Sequence, residues 1–470
     1  MIRRSVSLFA LMALGACASV QAPKAPVPDA YIAATTAETG APLDALWWRR
    51  FESSELNQLI TQAIRSNLDL KIAYARVLQS QASARAAGAA LLPNIGASGG
   101  VSRNEHQGGT SDFTGSTSYS AGISASYQLD LFGENRNTAG SAAKRLEASL
   151  YDRETATVTV ISNVVTAYLQ VLAARERQRI TTERLNNAGV ILRLLETQRR
   201  VGTISELELA QQRTAIANQR AALPTLRLAE RQALNSLAVL MGRNPEGFDI
   251  TARSLSDLAL PVVAAGIPSS VLVRRPDLRQ AEAALQAASL DVKVARAARL
   301  PGIQLTANGG TASAALSGLF QTGTFAYSFG GSIAQTIFAG GRLLAQEQGV
   351  RARYRETAAN YEKAIINAFS DVEEALTAVS EYGQQYDLAV EAATQADLAY
   401  RLAELRYRSG AVDFQTVLNA QNSAFSSQEG LVQNRLSRFN ALIGLTLALG
   451  GGWGGTLADA PPMSGVYAPL

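Results

Sequence analysis

One cysteine and one histidine occur in the 470 residues, and that scarcity bounds the chemistry open to the chain. Thiolate or imidazole metal sites need several such ligands at once, so none is expected here. Cys17 directly follows Leu14-Gly15-Ala16. An apolar run, small residues and then a cysteine form a lipidation signal, with cleavage ahead of the cysteine and a thioether on its sulfur. An ordinary secretory leader that contains a cysteine is the alternative; the lack of any other cysteine favours lipidation and leaves no disulfide. His106 lies among Gly, Asn, Ser and Thr in an expected loop, where it is solvated. Gly96-Ala97-Ser98-Gly99-Gly100 spells G-x-S-x-G, but that motif needs a strand–turn–helix context and a His base, and here it falls inside an expected strand. Gly450-x-Gly452-x-x-Gly455 matches the dinucleotide pattern by letters only, because it follows a helix. No phosphate-binding G-x-x-x-x-G-K-[ST] occurs. Paired carboxylates such as Glu373-Glu374 sit on helix faces suited to salt bridges. The chain is read as a non-enzyme without cofactor or metal.

The elements around these residues are therefore more informative than the residues themselves. Composition is 47 % hydrophobic and 17 % charged, enough to bury a large core. The formal charge is +4, and removal of Arg3 and Arg4 with the leader lowers it further, so no nucleic-acid footprint is expected. Arg3-Arg4 and the run Leu8–Leu14 make a leader too short to span a membrane permanently, and no later segment reads as a membrane helix. Residues 18–42 are rich in Ala, Pro and Thr, which makes an extended tether.

Beyond the tether the chain is written twice. Leu92-Pro93-x-Ile95 recurs as Leu300-Pro301-x-Ile303, Gly202 recurs as Gly410, and the run Leu237–Gly242 recurs as Leu445–Gly450. The offset is 208 each time (300−92, 410−202, 445−237). Expected boundaries are a leader over 1–16, a lipidated tether over 17–42, a first repeat over 43–250, a second over 265–450 and a tail over 451–470. Each repeat opens with short helices, roughly 55–66 (capped by Ser53 or Ser54) and 68–90 in the first.

Each repeat then changes period from 3.6 to 2. Tyr119, Ala121, Ile123, Ala125, Tyr127, Leu129 and Leu131 share one face, with Ser, Gly, Gln and Asp opposite. Ile95, Ala97, Gly99 and Val101 make a weaker partner across the polar loop Asn104–Gly115. In the second copy Ile303, Leu305 and Ala307 precede Phe325, Tyr327, Phe329, Ile333 and Ile337. An apolar, aromatic face against a small, uncharged polar one is the pattern of a transmembrane barrel wall; a soluble sheet packed on one face shares the alternation. The hairpins are expected at about 93–131 and about 301–338. Four strands cannot close a barrel, since about eight is the practical minimum. Two copies would supply eight and three would supply twelve, so closure alone favours three only weakly.

Long helices follow. From about 135 to 200 there is no proline, a span on the order of 100 Å, and the counterpart runs from roughly 341 to 408. Tyr354, Ala358, Tyr361, Ile365, Ala368, Val372, Ala375 and onward to Tyr400, Ala403 and Tyr407 keep alternating steps of four and three, a heptad seam. Ile366, Phe369, Leu376, Leu398, Leu402 and Leu405 form a second apolar face, as a helix in a ring requires. Gly202 and Gly410 end these helices in left-handed turns. Return helices follow to about 242 and about 449, the first expected to kink at Pro224.

Taken with Trp48-x-x-Phe51, Asn67-x-Asp69-Leu70, Asp130-Leu131-Phe132-Gly133, Arg274-Arg275-Pro276-Asp277-Leu278-Arg279-x-Ala281-Glu282 and Ile337-Phe338-x-Gly340-Gly341-Arg342, the chain resembles the TolC-like outer-membrane efflux channels, OprM/NodT-type lipoprotein branch, over residues 14–450. Ala18, with no Asp beside Cys17, resembles the pattern for export to the outer membrane. The resemblance implies a mixed α+β membrane protein. Each chain would give four transmembrane strands and long coiled-coil hairpins from two tandem repeats, trimerising into a 12-stranded β-barrel with a 12-helix periplasmic tunnel. It implies an outer-membrane, lipid-anchored homotrimer that passively conducts small molecules from an inner-membrane pump of RND type through a periplasmic adaptor; export of protein or polysaccharide through the same fold is the alternative. A coiled-coil lipoprotein without a pore would need no lipid-facing strands. The resemblance also implies a gate at the helix tips. Tyr407 and Arg408 match its tyrosine and arginine, Glu206 and Glu208 supply acid in the first copy, and Thr416 and Asn419 stand where relatives are often acidic, with Asp413 a partial substitute.

Overall fold

The computed structural model describes residues 32, 46–107, 113–261, 268–451 and 453. The leader, the lipidation site at Cys17 and nearly all of the tether and tail lie outside the described residues. The chain forms two compact units. Of the described residues, the first comprises Arg76–Ser149 and Gln280–Lys363, and the second comprises those up to Ala75, Leu150–Arg279 and those from Ala364 onward.

The elements in chain order are α1 (Ser54–Ser66), α2 (Leu68–Ala89), β1 (Asn94–Gln107), β2 (Phe113–Leu129), α3 (Glu134–Arg200), α4 (Glu206–Leu240), α5 (Pro268–Arg274), α6 (Pro276–Ala297), β3 (Gly302–Ser313), β4 (Phe325–Ala334), α7 (Arg342–Arg408) and α8 (Phe414–Ala448). The repeat is exact at element level: α2, α3 and α4 have the same lengths as α6, α7 and α8 and begin 208 positions earlier.

In the first unit the sheet is antiparallel in the order β1-β2-β3-β4. Its register puts the apolar residues on one face, which Arg103, Glu105 and Thr311 continue towards the hairpin end. Ile95 pairs with Ala125, Ala97 with Ile123 and Val101 with Tyr119; Tyr127 pairs with Leu305, and Leu129 with Ile303; Ile303 pairs with Ile333, and Ala307 with Phe329. Phe325, Tyr327 and Phe329 run as a ladder along β4, with ring centroids 6.4 and 5.9 Å apart. In β4 neither face is covered in the single chain: every residue is exposed, Phe329 by 79 % and Ile333 by 73 %.

Three sequence expectations change at the strand ends. Leu131 leaves the alternation, because β2 stops at Leu129 and the chain turns at Asp130, whose carboxylate accepts from the Asn135 and Arg136 amides that open α3 (3.1 and 2.9 Å). Ile337 lies outside β4, because Ala334 already pairs with Gly302, the first residue of β3 after Pro301. The expected loop Asn104–Gly115 is mostly strand, with pairing continuing to Gln107 and Phe113. His106 therefore stands in β1 opposite Thr114 rather than in a loop.

Below the sheet, α6 packs on α7 through Leu285, Val292 and Tyr354, and Ser141 of α3 donates to Asp291 of α6 at 2.6 Å. In the second unit the core gathers Trp47, Trp48 and Phe51 with α1 and with α3 from Val160 to Ile180. Part of α3 is long and apolar enough to cross a membrane, contrary to the sequence reading. Its Val164, Val165, Tyr168, Leu169 and Leu172 are completely buried in this core, so burial in protein accounts for their hydropathy. Ser53 caps α1, accepting from the Leu56 amide at 3.2 Å. The return helix α4 continues unbroken through Pro224.

Two glycines show the repeat as geometry. Gly242 has φ +64°, and a Cβ there would stand 2.5 Å from the Ser66 carbonyl oxygen. Gly450 has φ +105° and would meet the Arg274 carbonyl oxygen at 2.5 Å. At the same joints Asn67 donates to the Leu240 carbonyl at 3.0 Å and Arg275 to the Ala448 carbonyl at 3.4 Å. Each close approach is 208 positions from its twin.

Candidate functional site: the helix tips

The tips lie wholly in the second unit. Gly202 and Gly410 adopt φ of +79° and +78°, with open space where a Cβ would be. Backbone conformation alone therefore selects glycine at both turns. The closing bonds match: Thr203 N–H to Gln198 C=O at 3.0 Å, and Ala411 N–H to Arg406 C=O at 2.9 Å. These are the six-to-one bonds of a Schellman turn.

The polar residues expected at the gate divide by partner. Ser205 caps α4, and Glu208 completes a capping box by accepting from the Ser205 amide at 3.1 Å. Asp413 caps α8, accepting from the Thr416 amide at 2.9 Å and the Thr416 hydroxyl at 2.6 Å. The second copy has thus moved its carboxylate from the third helical position to the cap itself, which accounts for Thr416 where acid was expected. Hydrogen bonds from Ser205 hold the Glu208 carboxyl below its ordinary range, and those from Thr416 do the same for Asp413. Glu206 reaches Arg199 at 3.4 Å and Arg213 at 4.0 Å. Asn419 accepts from Gln415 at 2.9 Å. Arg408 pairs with Glu404 one turn back, at 2.5 Å.

Tyr407 is placed differently. Its hydroxyl donates to the Gln198 side-chain oxygen at 3.0 Å, joining the tip of α7 to the tip of α3. Its ring meets Phe414 edge-on at 5.7 Å. Burial, then the charge of Glu208, push its phenol above the ordinary value. A second tie, Gln211 to Gln415 at 3.0 Å, joins α4 to α8. Beneath them Ile191, Leu195, Leu209, Tyr400, Ala403, Phe414 and Val417 form one apolar cluster shared by both hairpins. Arg184 pairs with Asp397 at 3.0 Å and lies 5.8 Å over the Tyr400 ring.

Sequence reasoning missed Gln198, Gln211 and Gln415. One signal was available: the 208-residue offset aligns Tyr407 with Arg199, the neighbour of Gln198. Nothing in the sequence specifies which neighbour the hydroxyl reaches. The heptad seam holds over most of its length, with Tyr382, expected in it, 39 % exposed. Ile365, Ala368, Val372, Ala375, Ala393, Tyr400 and Ala403 are all buried. Of the second apolar face Phe369 is buried, whereas Ile366, Leu398, Leu402 and Leu405 are 43–66 % exposed in the single chain.

The profile of the family described as outer membrane efflux protein matches residues 59–243 and 267–451, two blocks with the offset already seen. The chain is 39 % identical over 467 residues to the pyoverdine export outer membrane protein OpmQ of Pseudomonas aeruginosa, covering 96 % of this chain and 98 % of that one. It is 33 % identical over 470 residues to the antibiotic efflux pump outer membrane protein ArpC of Pseudomonas putida, covering 97 % of both. Among solved structures it superposes on the open state of the Neisseria gonorrhoeae MtrE outer membrane channel with a TM-score of 0.84 and 30 % identity, covering 92 % of this chain and 97 % of that one. Solved relatives of this fold are trimeric channels rather than enzymes. With its two-faced sheet and paired helical hairpins, the chain belongs to the outer membrane efflux protein family.

Proposed function

We propose that three copies of this chain form the exit duct of a tripartite pump whose other parts are a periplasmic adaptor and an inner-membrane pump of the RND type. Small organic molecules leave through the duct, and Cys17 carries the lipid anchor. The supporting observation is the sheet, which exposes apolar side chains on one face and Ser, Thr, Gly, Asn and Gln on the other. Three such sheets supply twelve strands, with lipid outside and water inside. A neutral lumen wall gives little discrimination by charge, so ion preference belongs to the tips. Cargo in the small-molecule range agrees with the 39 % identity to a pyoverdine exporter and the 33 % identity to an antibiotic efflux component.

The gate in this reading is the α3/α4 and α7/α8 tip assembly. Tyr407 and Arg408 are the moving contacts; Glu206, Glu208, Asp413, Thr416 and Asn419 shape the charged rim; Gly202 and Gly410 turn the chain. The duct has no step that consumes energy, so the pump supplies the driving force and the tips set whether water is continuous. Opening separates Tyr407 from Gln198. The test is planar-bilayer conductance of the reconstituted trimer carrying Tyr407→Ala with Arg408→Ala. A several-fold rise over wild type is expected, and unchanged conductance would sink the gate assignment. For the cargo, deletion of the gene followed by a susceptibility panel should show increased sensitivity to small amphiphilic compounds. Loss of a secreted protein with unchanged susceptibility would favour the protein-export reading instead.

A further inference from the structure

The two hairpins of the sheet repeat in register as well as in sequence. Asn94 pairs with Ser126 in the first and Gly302 with Ala334 in the second, and 302−94 and 334−126 are both 208. The offset therefore carries one hairpin onto the other pair by pair. Within the chain the hairpins meet at one junction, β2 against β3, from Tyr119 with Ser313 to Leu129 with Ile303. The outer edges, β1 and β4, have no strand partner among the described residues.

The end of β4 shows what an edge lacks. In β2, Tyr127–Leu129 run past the start of β1, whose first residue Asn94 pairs with Ser126. Those three residues are strand only because β3 pairs with them. Their twins, Gln335–Ile337, have no such neighbour in the chain, and β4 stops at Ala334, the twin of Ser126. The strand is short by the three residues that a neighbour placed like β3 would hold. An edge of unpaired N–H and C=O groups is a template for another strand.

We propose that β4 of one protomer pairs with β1 of the next in the register that the repeat dictates, a reading that rests on the three-copy barrel proposed above. Each β2–β3 pair is moved 208 positions forward on one strand and 208 back on the other. Leu129 with Ile303 becomes Ile337 with Ile95 of the partner subunit. Tyr119 with Ser313 becomes Tyr327 with Glu105 of the partner subunit. Ile337, unpaired in the single chain and 88 % exposed, thereby gains a strand neighbour.

Side-chain chemistry favours this register over its neighbours. A slip of one residue would exchange the two faces, whereas a slip of two keeps them, so the side chains decide. In the proposed register Gly331 faces the partner's Val101, and Ile333 faces the partner's Gly99. Arg103 and Glu105 form an ion pair at 3.0 Å, with side chains 68 % and 51 % exposed. The register sets them against Phe329 and Tyr327 of the β4 ladder, giving the guanidinium group a ring to lie over. A slip of two residues one way stacks two glycine pairs side by side and leaves a gap. The opposite slip sets Phe329 against the Glu105 carboxylate and removes the ring from Arg103.

The test is disulfide cross-linking of the full lipoprotein in outer-membrane fractions. Directly opposed residues stand about 4.5–5.5 Å apart at Cα, within disulfide reach, and diagonal ones about 7–8 Å. Asn104→Cys is combined in turn with Ala326→Cys, Ser328→Cys and Gly330→Cys and oxidised with copper phenanthroline; wild type, with Cys17 alone, sets the baseline. Ser120→Cys with Ala312→Cys, the twin pair inside the chain, is the control and should lose both thiols without linking chains. The Ser328→Cys combination should give covalent trimer on a non-reducing denaturing gel, several-fold more than either neighbour. Strongest linkage through Ala326→Cys or Gly330→Cys would overturn the register and leave the barrel standing. No linkage from any of the three, with the control closed and light scattering still reporting trimer, would overturn the β1–β4 seam. Monomeric wild type would overturn both the seam and the duct reading beneath it.

Discussion

Single side chains at the tips are committed to holding local shape, and their substitution should be read accordingly. Glu208→Ala and Asp413→Ala each remove a cap contact worth about 1 kcal/mol. The expected result is fraying of the first turn of α4 or α8, seen as faster amide exchange confined to residues 206–209 or 414–417. Gly202→Ala and Gly410→Ala force a Cβ into the left-handed region at a cost of about 1–2 kcal/mol, although no atom stands in the way. Tyr400 offers a pH test. Burial, then the charge of Glu404, raise its hydroxyl from 10.0 to about 12, against the opposing charge of Arg184. The folded value lies above the unfolded one, so the associated stability is intact below pH 10 and is lost as pH rises through about 12. Tyr168, also raised to about 12 with burial as the largest cause, shares the window. Thermal unfolding of wild type followed from pH 9 to 12 should therefore fall off more steeply than that of Tyr400→Phe. Identical slopes would show that Tyr400 does not titrate there.

At the scale of elements the sheet makes the sharpest prediction, because adjacent residues of β2 face different solvents. Ile123 is on the apolar face, 62 % exposed, and Ser124 is on the polar one. A lysine on a lipid face near mid-membrane costs about 2–4 kcal/mol, whereas a lumen position tolerates it. Ile123→Lys should therefore reduce heat-stable trimer in outer-membrane fractions, while Ser124→Lys should leave assembly intact and shift ion selectivity towards anions. Equal loss from both would mean that the two faces are not distinct. The two faces are legible in the residue pattern alone, since a period of two is fixed by the pleat itself. The strand ends are not. Leu131 and Ile337 continue the alternation in sequence, but Pro301 and the onset of β3 at Gly302 leave them no pairing partners. The stretch around His106 is polar in composition and yet is paired strand, because Asn, Ser and Thr give no apolar signal from which pairing can be read.

At the scale of the whole molecule, the exposed face of α7 is expected to carry the assembly. Leu402 and Leu405 are 49 % and 66 % exposed in one chain, and apolar surface of that extent on a coiled-coil helix is covered in the assembled ring. Leu402→Glu with Leu405→Glu should yield monomer by light scattering in detergent, with secondary structure unchanged by circular dichroism; a stable trimer would refute the assignment of this face. The two hairpins are expected to move unequally on opening, because the latching tyrosine belongs to the second copy and the capping arrangements differ. Spin-label distances across 202 and across 410 in closed and open variants would test this, and equal displacements would contradict it. The duplication, the two strand faces, the helix seams and their glycine turns are all written in the order of the amino acids. They arise from local backbone periods and the φ preferences of single residues. Three-dimensional packing alone settles that Tyr407 reaches Gln198, that Gly242 and Gly450 are required because a Cβ there would stand 2.5 Å from a carbonyl oxygen, and that Arg296, Arg299 and Arg351 meet at Glu347. Those pairings join residues that no local period relates, and they depend on where packing carries each helix.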